Sequence, residues 1–240
     1  MGYEYKTPYQ PLRLHLSFNE GKGHIAHDES PYGNHCYLGS PTLTSYGYEK
    51  LGIMLDESSI INHTDTINIG KLDENGDPEP FEINGYFLFS GLSNGNIISK
   101  KTDDDIYPIY VYYDANKLNI EMKSNTITLN YKFDINVDMW YKFTISRYLN
   151  SVSWKIRFSV IQFNEHLQPI ETIEHEFEDD ESDFSNTSNL ILGTINNCYF
   201  DELQIIAGTK NFINKPAYDT DDENILLSAT LNIHPLLSFL

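Results

Sequence analysis

Basic side chains are scarce: 16 Lys and Arg stand against 35 Asp and Glu in 240 residues, a net charge of 16 − 35 = −19 with histidine neutral. Lys and Arg are the groups that displace counterions from a phosphate backbone, so the deficit excludes nucleic acid as an expected partner. Cysteine is limited to Cys36 and Cys198, too few for a disulfide framework. They are expected as reduced, buried thiols, and whether they meet in space is open. No run approaches the roughly 18 apolar residues that a membrane helix needs. The opening MGYEYKTPYQPLRLHLSF lacks a basic stretch followed by an apolar one, so no secretory signal is expected. Helical periodicity is missing before residue 210. With 40% apolar and 13% aromatic residues, however, the chain is too hydrophobic for a disordered acidic polymer and long enough for one domain with a substantial core.

The periodicity that is present has a period of two, the mark of half-buried strands. Leu12, Leu14, Leu16 and Phe18 alternate with Arg13, His15 and Ser17. The same pattern recurs in Leu118–Met122, in Ile127–Ile135, in Val152–Val160, and in Tyr199, Asp201, Leu203, Ile205 and Ala207. Short polar breaks at Asp114-Ala115-Asn116, Ser124-Asn125 and Leu149-Asn150-Ser151 have the length of hairpin loops. About a dozen short strands with tight turns indicate an all-β fold, an antiparallel two-sheet β-sandwich of the jelly-roll kind. The expected organisation is an N-terminal arm at 1–11, the sandwich at 12–208 and a C-terminal extension at 209–240. The extension ends in ILLSATLNIHPLLSFL, whose Ile225, Leu226, Leu227, Leu231, Leu236, Leu237 and Phe239 are expected to dock on this domain or a neighbouring subunit.

Three segments carry a family resemblance. LHLSFNEGKGHIAHDESPYGN (Leu14–Asn34) resembles the opening of the laminin-G-like domains of the concanavalin A-like lectin/glucanase superfamily, which includes the pentraxins. WYKFTISR (Trp140–Arg147) is similar to that family's Trp-led strand, and NLILGTINNCYFDELQII (Asn189–Ile206) to its closing strand. Order and spacing match across roughly 12–208. The resemblance implies a jelly roll of two packed antiparallel sheets that serves as a non-catalytic binding or assembly module, with no single ligand. The middle departs from the family: Phe81-Glu82-Ile83-Asn84-Gly85-Tyr86-Phe87 lacks the Trp expected there.

Asp201 falls on the alternating face of Leu203 and Ile205, where a carboxylate needs a partner or a metal. Hard oxygen ligands suit Ca²⁺. The resemblance brings the Asp28–Asn34 turn near this strand, so Asp28, Asn34 and Asp201 form a candidate calcium set. The competing reading makes Asp201 a cap of the turn before its strand and Asp28 a turn residue. Glu20 and Glu202 read as structural or solvated. The loop Asp73–Glu79 has calcium-loop composition with its glycine misplaced, and it reads as a solvated acidic loop, as do Asp219, Asp221 and Asp222. Glu176-Phe177-Glu178-Asp179-Asp180-Glu181 superficially resembles a glucanase motif, in which two close carboxylates would permit retaining hydrolysis. Its passage into EDDESDFSNTS reads as a solvated loop. No Gly-x-Ser-x-Gly occurs, and His35-Cys36 has no second pair to complete a zinc site.

Tyr107, Tyr110, Tyr112 and Tyr113 are candidates for sugar stacking or for strand packing, with packing expected for at least half. The functional expectation is a non-catalytic structural or adhesion module, a bacteriophage virion protein whose arms hold other virion proteins or further copies of itself. The alternative is a calcium-dependent carbohydrate-binding module, and glycoside hydrolysis is a remote third. A structural Ca²⁺ is the one cofactor considered, and the expected location is the virion.

Overall fold

A computed structural model describes residues 12–208 apart from 40–41, 45–46, 49, 56–58, 63, 92, 102–105, 194 and 196. The N-terminal arm, the C-terminal extension and its apolar residues from Ile225 to Phe239 lie outside the described residues. The strands in chain order are β1 (Leu12–Leu16), β2 (Ile25–Ala26), β3 (Cys36–Tyr37), β4 (Thr42–Thr44), β5 (Gly52–Leu55) and β6 (Ser59–Ile61). After one 3₁₀ turn at Asp65–Ile67 come β7 (Phe81–Phe89), β8 (Gly95–Ser99), β9 (Tyr107–Asp114), β10 (Lys117–Lys123) and β11 (Thr128–Asp134). The series closes with β12 (Trp140–Leu149), β13 (Trp154–Phe163), β14 (Pro169–Glu178), β15 (Leu190–Leu192) and β16 (Cys198–Ala207). No helix among the described residues is long and apolar enough to cross a membrane.

Two antiparallel sheets of eight strands pack face to face. One has the order β14-β13-β12-β7-β16-β5-β4, with β1 also paired to β16; the other runs β11-β10-β9-β8-β15-β6-β3-β2. Strand alternation places Ile83, Phe87, Phe143, Ile145, Phe158 and Phe200 of the first sheet against Val111, Tyr113, Leu118, Ile120 and Met122 of the second, all within the buried core. Full burial of such a side chain contributes about 1.5–3 kcal/mol, so this layer is the main source of stability. Cys36 and Cys198 are buried in it as free thiols, and desolvation pushes the Cys36 thiol up to about 12, which keeps it protonated and inert.

Local chemistry sets the hairpins. Ala115 (φ 49°) and Asn116 (φ 64°) both occupy the left-handed region, as a two-residue turn between right-twisted strands requires, and pairing runs in step from Lys117↔Asp114 to Glu121↔Tyr110. Asn150 closes the β12–β13 turn by accepting the backbone N–H groups of Val152 and Ser153 at 2.8 and 2.7 Å. Val152, expected on the buried face, therefore sits in the turn and is 87% exposed. Gly85 occupies the departure noted in the middle of the chain. A Cβ there would lie 2.8 Å from Phe200 Cζ and 3.0 Å from Phe143 Cε1, so the missing side chain makes room for two phenyl rings on adjacent strands.

Candidate binding face and the predicted cation residues

Asp28 and Asn34 lie together beside β1. The Asp28 carboxylate accepts four donors: His15 N–H and Ser30 N–H on Oδ1, both at 2.9 Å, and Ser30 Oγ at 2.6 Å with Asn34 N–H at 2.7 Å on Oδ2. A carboxylate offers about four lone-pair positions, and protein donors supply one for each. Asn34 is occupied as well. Its Nδ2 donates to Arg13 O at 2.9 Å and Thr66 Oγ1 at 2.8 Å, while Oδ1 accepts from Thr64 Oγ1 at 2.9 Å. The pair thus ties the Asp28–Asn34 turn to β1 and to the 3₁₀ turn.

Asp201 is held by other partners. Its Oδ2 accepts Tyr48 N–H and its Oδ1 accepts Glu202 N–H, each at 2.9 Å. Its neighbours differ from expectation because β16 carries a bulge: Asp201 pairs with Tyr86 of β7, but Gln204 already pairs with Asn84. The extra residue is Glu202, at φ 52°. Side chains before and after a bulge swap faces, so Phe200 and Leu203 both enter the core while Asp201 shares the outer face with Tyr199. Its complete burial comes from the 47–48 segment folding over that face, where Gly47 approaches Asp201 Oδ2. The expected common face with Leu203 and Ile205 is thereby corrected. Among the described residues no group of three His, Cys, Asp or Glu side chains is arranged to hold a metal.

Glu202 faces β1, where its Oε2 lies 2.7 Å from His15 Nε2, and Glu29 lies 3.4 Å from His15 Nδ1. The hydrogen bond to Glu202 raises the His15 pKa above its usual value against the opposing effect of burial.

The acidic run at 176–181 is strand at 176–178 and a buried clamp at Asp179, and only Asp180 and Glu181 are exposed loop. Glu176 accepts the Tyr148 hydroxyl and lies 3.1 Å from Arg157, contacts that lower its pKa. Glu178 pairs with Lys155. Asp179, fully buried, receives Arg147 in a two-point bridge, Nε to Oδ2 at 2.5 Å and Nη2 to Oδ1 at 3.0 Å. A retaining glycosidase needs one carboxyl kept protonated, whereas Glu176 is held ionised and Glu178 and Asp179 are paired with cations. The Asp73–Glu79 loop closes on itself, with Asp73 Oδ1 accepting Asn75 N–H and Asp77 N–H at 2.8 and 3.0 Å.

The tyrosine-rich strand divides as its alternation dictates. Tyr113 enters the core, while Tyr110 and Tyr112 are half-buried on the outer face of the second sheet. A register shift between Glu121 and Lys123 brings Tyr107 to that face too, since Tyr110 pairs with Glu121 and Tyr107 with Lys123. The Tyr110 and Tyr112 rings stack at 4.5 Å, and Tyr107 meets Tyr110 edge-on at 5.7 Å. Glu121 gathers the hydroxyls of Tyr112 at 2.7 Å and Tyr107 at 3.0 Å, together with Asn130 Nδ2 at 2.6 Å. Tyr110 donates to Asn96 Oδ1 at 2.9 Å. Burial first, and then the Glu121 contact, push the Tyr112 phenol pKa up, so it stays a donor to the carboxylate and presents only lone pairs outward. The arrangement is a locked aromatic surface edged by amides. The sequence named these tyrosines; the Glu121, Asn96 and Asn130 partners required the strand register.

Fold and site define an antiparallel two-sheet sandwich with an aromatic outer face. No family model matches the chain, and no curated protein does. Among solved structures it is similar to the binding domain of botulinum neurotoxin serotype D, with a TM-score of 0.60 and 12% identity. It is also similar to a structure described as showing that cell entry of botulinum neurotoxin type C depends on interaction with two ganglioside molecules (0.57, 14%). A third is the binding domain of botulinum neurotoxin DC in complex with rat synaptotagmin II (0.53, 16%). Each match covers 91% of this chain and 51% of the other, so the chain spans about half the length of these neighbours. At such identities the likeness concerns the fold.

Proposed function

We propose that this domain is a non-catalytic binding module whose ligand is a saccharide, taken on the outer face of β9–β11. The observation that carries the reading is the stacked Tyr110–Tyr112 pair, half-buried on this face beside a buried Tyr107, with the three hydroxyls fixed by Glu121 and Asn96. Sugars present flat CH surfaces rimmed by hydroxyls; ring faces suit the former and amide and phenol oxygens the latter. Tyrosines whose hydroxyl donors are already committed lose little entropy when a ligand settles on them. The neighbours whose descriptions mention gangliosides and synaptotagmin add a fold-level precedent for binding. The test is a glycan array probed with the native protein and with Tyr110→Ala and Tyr112→Ala, using thermal melting as a folding control. Binding should weaken at least tenfold, roughly the effect of a central aromatic contact, in variants that still melt cooperatively. Unchanged binding in both variants would remove this face from consideration.

The virion-assembly reading rests on the terminal arms, which lie outside the described residues. Deleting 211–240 tests it: loss of assembly with the sandwich still folded supports it, and particles that still form exclude it.

A further inference from the structure

We infer that this face selects its saccharide by a hydrogen-bond donor, a hydroxyl or acylamino N–H that the sugar delivers to Asn119 Oδ1; this rests on the binding reading above. β10 alternates as a half-buried strand should, with Leu118, Ile120 and Met122 in the core and Asn119 and Glu121 on the outer face. Register sets Asn119 opposite Tyr112 of β9 on one side and opposite Lys132 of β11 on the other. Opposed residues have Cβ atoms about 4.5–5.5 Å apart, so the Asn119 amide borders the stacked Tyr110–Tyr112 pair.

Asparagine is an expensive residue for this place. It is depleted in strands, and here it is 1% exposed. Its Nδ2 donates to Lys117 O at 3.0 Å, whereas its Oδ1 is buried with no hydrogen-bond partner. Exchanging the amide oxygen and nitrogen would set an oxygen against the Lys117 carbonyl, so the acceptor is the atom left over. An unmade bond at a buried acceptor costs the free protein the desolvation of that oxygen, and a ligand that brings the donor recovers it. Of the two cross-strand neighbours, Tyr112 is fixed by its bond to Glu121, while Lys132 is exposed and long, so the side that can yield to a ligand is that of Lys132.

The phenols beside it have the same polarity. Tyr112 spends its proton on Glu121 Oε1 and Tyr110 its proton on Asn96 Oδ1, so both present oxygen lone pairs to a ligand. Two phenol oxygens and one amide oxygen thus lie beside one ring surface, all of them acceptors. Hydroxyl hydrogens of a sugar resting on the rings satisfy them; an ether oxygen, a methylated hydroxyl or a fluorine in the same place does not. Acceptors fixed before the ligand arrives let a site reject an analogue that lacks a single donor, because the missing group leaves a buried oxygen unpaired.

The experiment titrates the full chain by NMR with the methyl β-glycosides of glucose, galactose and N-acetylglucosamine. Each is compared with analogues in which one hydroxyl is replaced by hydrogen or by fluorine, neither of which donates, and the last also with its N-methylated acetamide. At one position of a bound sugar every such replacement should weaken binding about tenfold, the effect of one buried hydrogen bond. Asn119→Leu, similar in shape but without the acceptor, should bind the parent sugar about tenfold more weakly and lose the distinction between parent and analogue. It should melt no lower than the native protein, because the discarded oxygen had no partner. In the native protein the Asn119 side-chain amide resonance should shift with the parent sugar and stay in place with that analogue, a readout that needs no variant. Binding that falls with Tyr110→Ala and Tyr112→Ala but is indifferent to every replacement, or to Asn119→Leu, overturns the donor assignment while the tyrosine surface stands. Fluorinated analogues that all bind like their parents do the same, as does an Asn119→Leu melt well below the native one, which makes the amide a structural group. No binding to these sugars or to the glycan array overturns both readings.

Discussion

Replacing Arg147 by Met should be among the most destabilising single changes in the sandwich. Both members of its bridge to Asp179 have fully buried side chains. The guanidinium further donates to Gly70 O at 3.1 Å and Ser182 O at 2.8 Å and stands 5.4 Å from the centroid of the Phe184 ring. One side chain therefore joins β12, the loop ahead of β7 and the segment that leaves β14. Methionine fills similar volume but strands one buried carboxylate and two carbonyls. Breaking a buried pair in this way costs about 3–5 kcal/mol, a large part of the 5–15 kcal/mol that holds an ordinary domain together. A domain of this size loses about 2–4 °C per kcal/mol, so the melting temperature should drop by about 10 °C.

The partner variants make the reasoning testable even if Arg147→Met is too unstable to purify. Asp179→Asn keeps the shape and removes the charge. The double variant Arg147→Met, Asp179→Leu replaces the pair by apolar side chains and should recover at least half of the single-mutant loss, because the penalty lies in the uncompensated charge. Chemical unfolding of the four proteins closes the cycle. A coupling energy below about 1 kcal/mol would refute the buried-bridge account and return the 176–183 run to the solvated loop expected from composition.

Three further outcomes follow from the geometry. Gly85→Ala should cost about 1–3 kcal/mol by overpacking, and Phe200→Leu in the same chain should recover part of it; a neutral Gly85→Ala melt would mean that the rings can yield. Because the His15 pKa is raised by Glu202, its contribution is fully present below the unfolded value of 6.5 and lost as pH rises through the folded value. Relative to Glu202→Gln, the native protein should therefore lose melting temperature from about pH 6.5 upward, and parallel curves for the two would dismiss the pair. With four donors already on Asp28 and two backbone N–H groups on Asp201, calcium followed by chelator should leave the melting temperature unchanged. A calcium-dependent rise that vanishes in Asp201→Ala would restore the cation reading.

Much of the architecture was legible because a sandwich strand advertises itself by alternation. Leu118, Ile120 and Met122, and likewise Ile156, Phe158 and Val160, point inward as their spacing predicts, and the polar breaks at 115–116 and 124–125 became hairpin turns. The tyrosine face was half legible. Tyr110 and Tyr112 were named from one strand, but the residues that fix them come from Asn96, Glu121 and Asn130 on three others. Pairing across strands depends on register, and a register shift moved Tyr107 to this face against its own parity. A two-residue count assigns faces only along an unbroken ladder.

The face of Asp201 was misjudged for the same physical reason, and the difference is informative. Its acidic side chain sits in the middle of an apolar strand, so simple alternation buried it with Leu203 and left a metal or a turn cap to offset the burial. Inserting Glu202 as a bulge removes the need. Asp201 moves to the outer face, where backbone N–H groups of Tyr48 and Glu202 itself supply the hydrogen bonds, and Glu202 is aimed at His15. The same kink lets Phe200 and Leu203, an odd number of residues apart, share one core. A left-handed non-glycine residue costs about 1–2 kcal/mol, so the bulge persists only while these contacts over-determine it. Glu202→Gly should accordingly keep the backbone and lose the His15 contact, whereas deleting Glu202 should expel either Phe200 or Leu203 from the core.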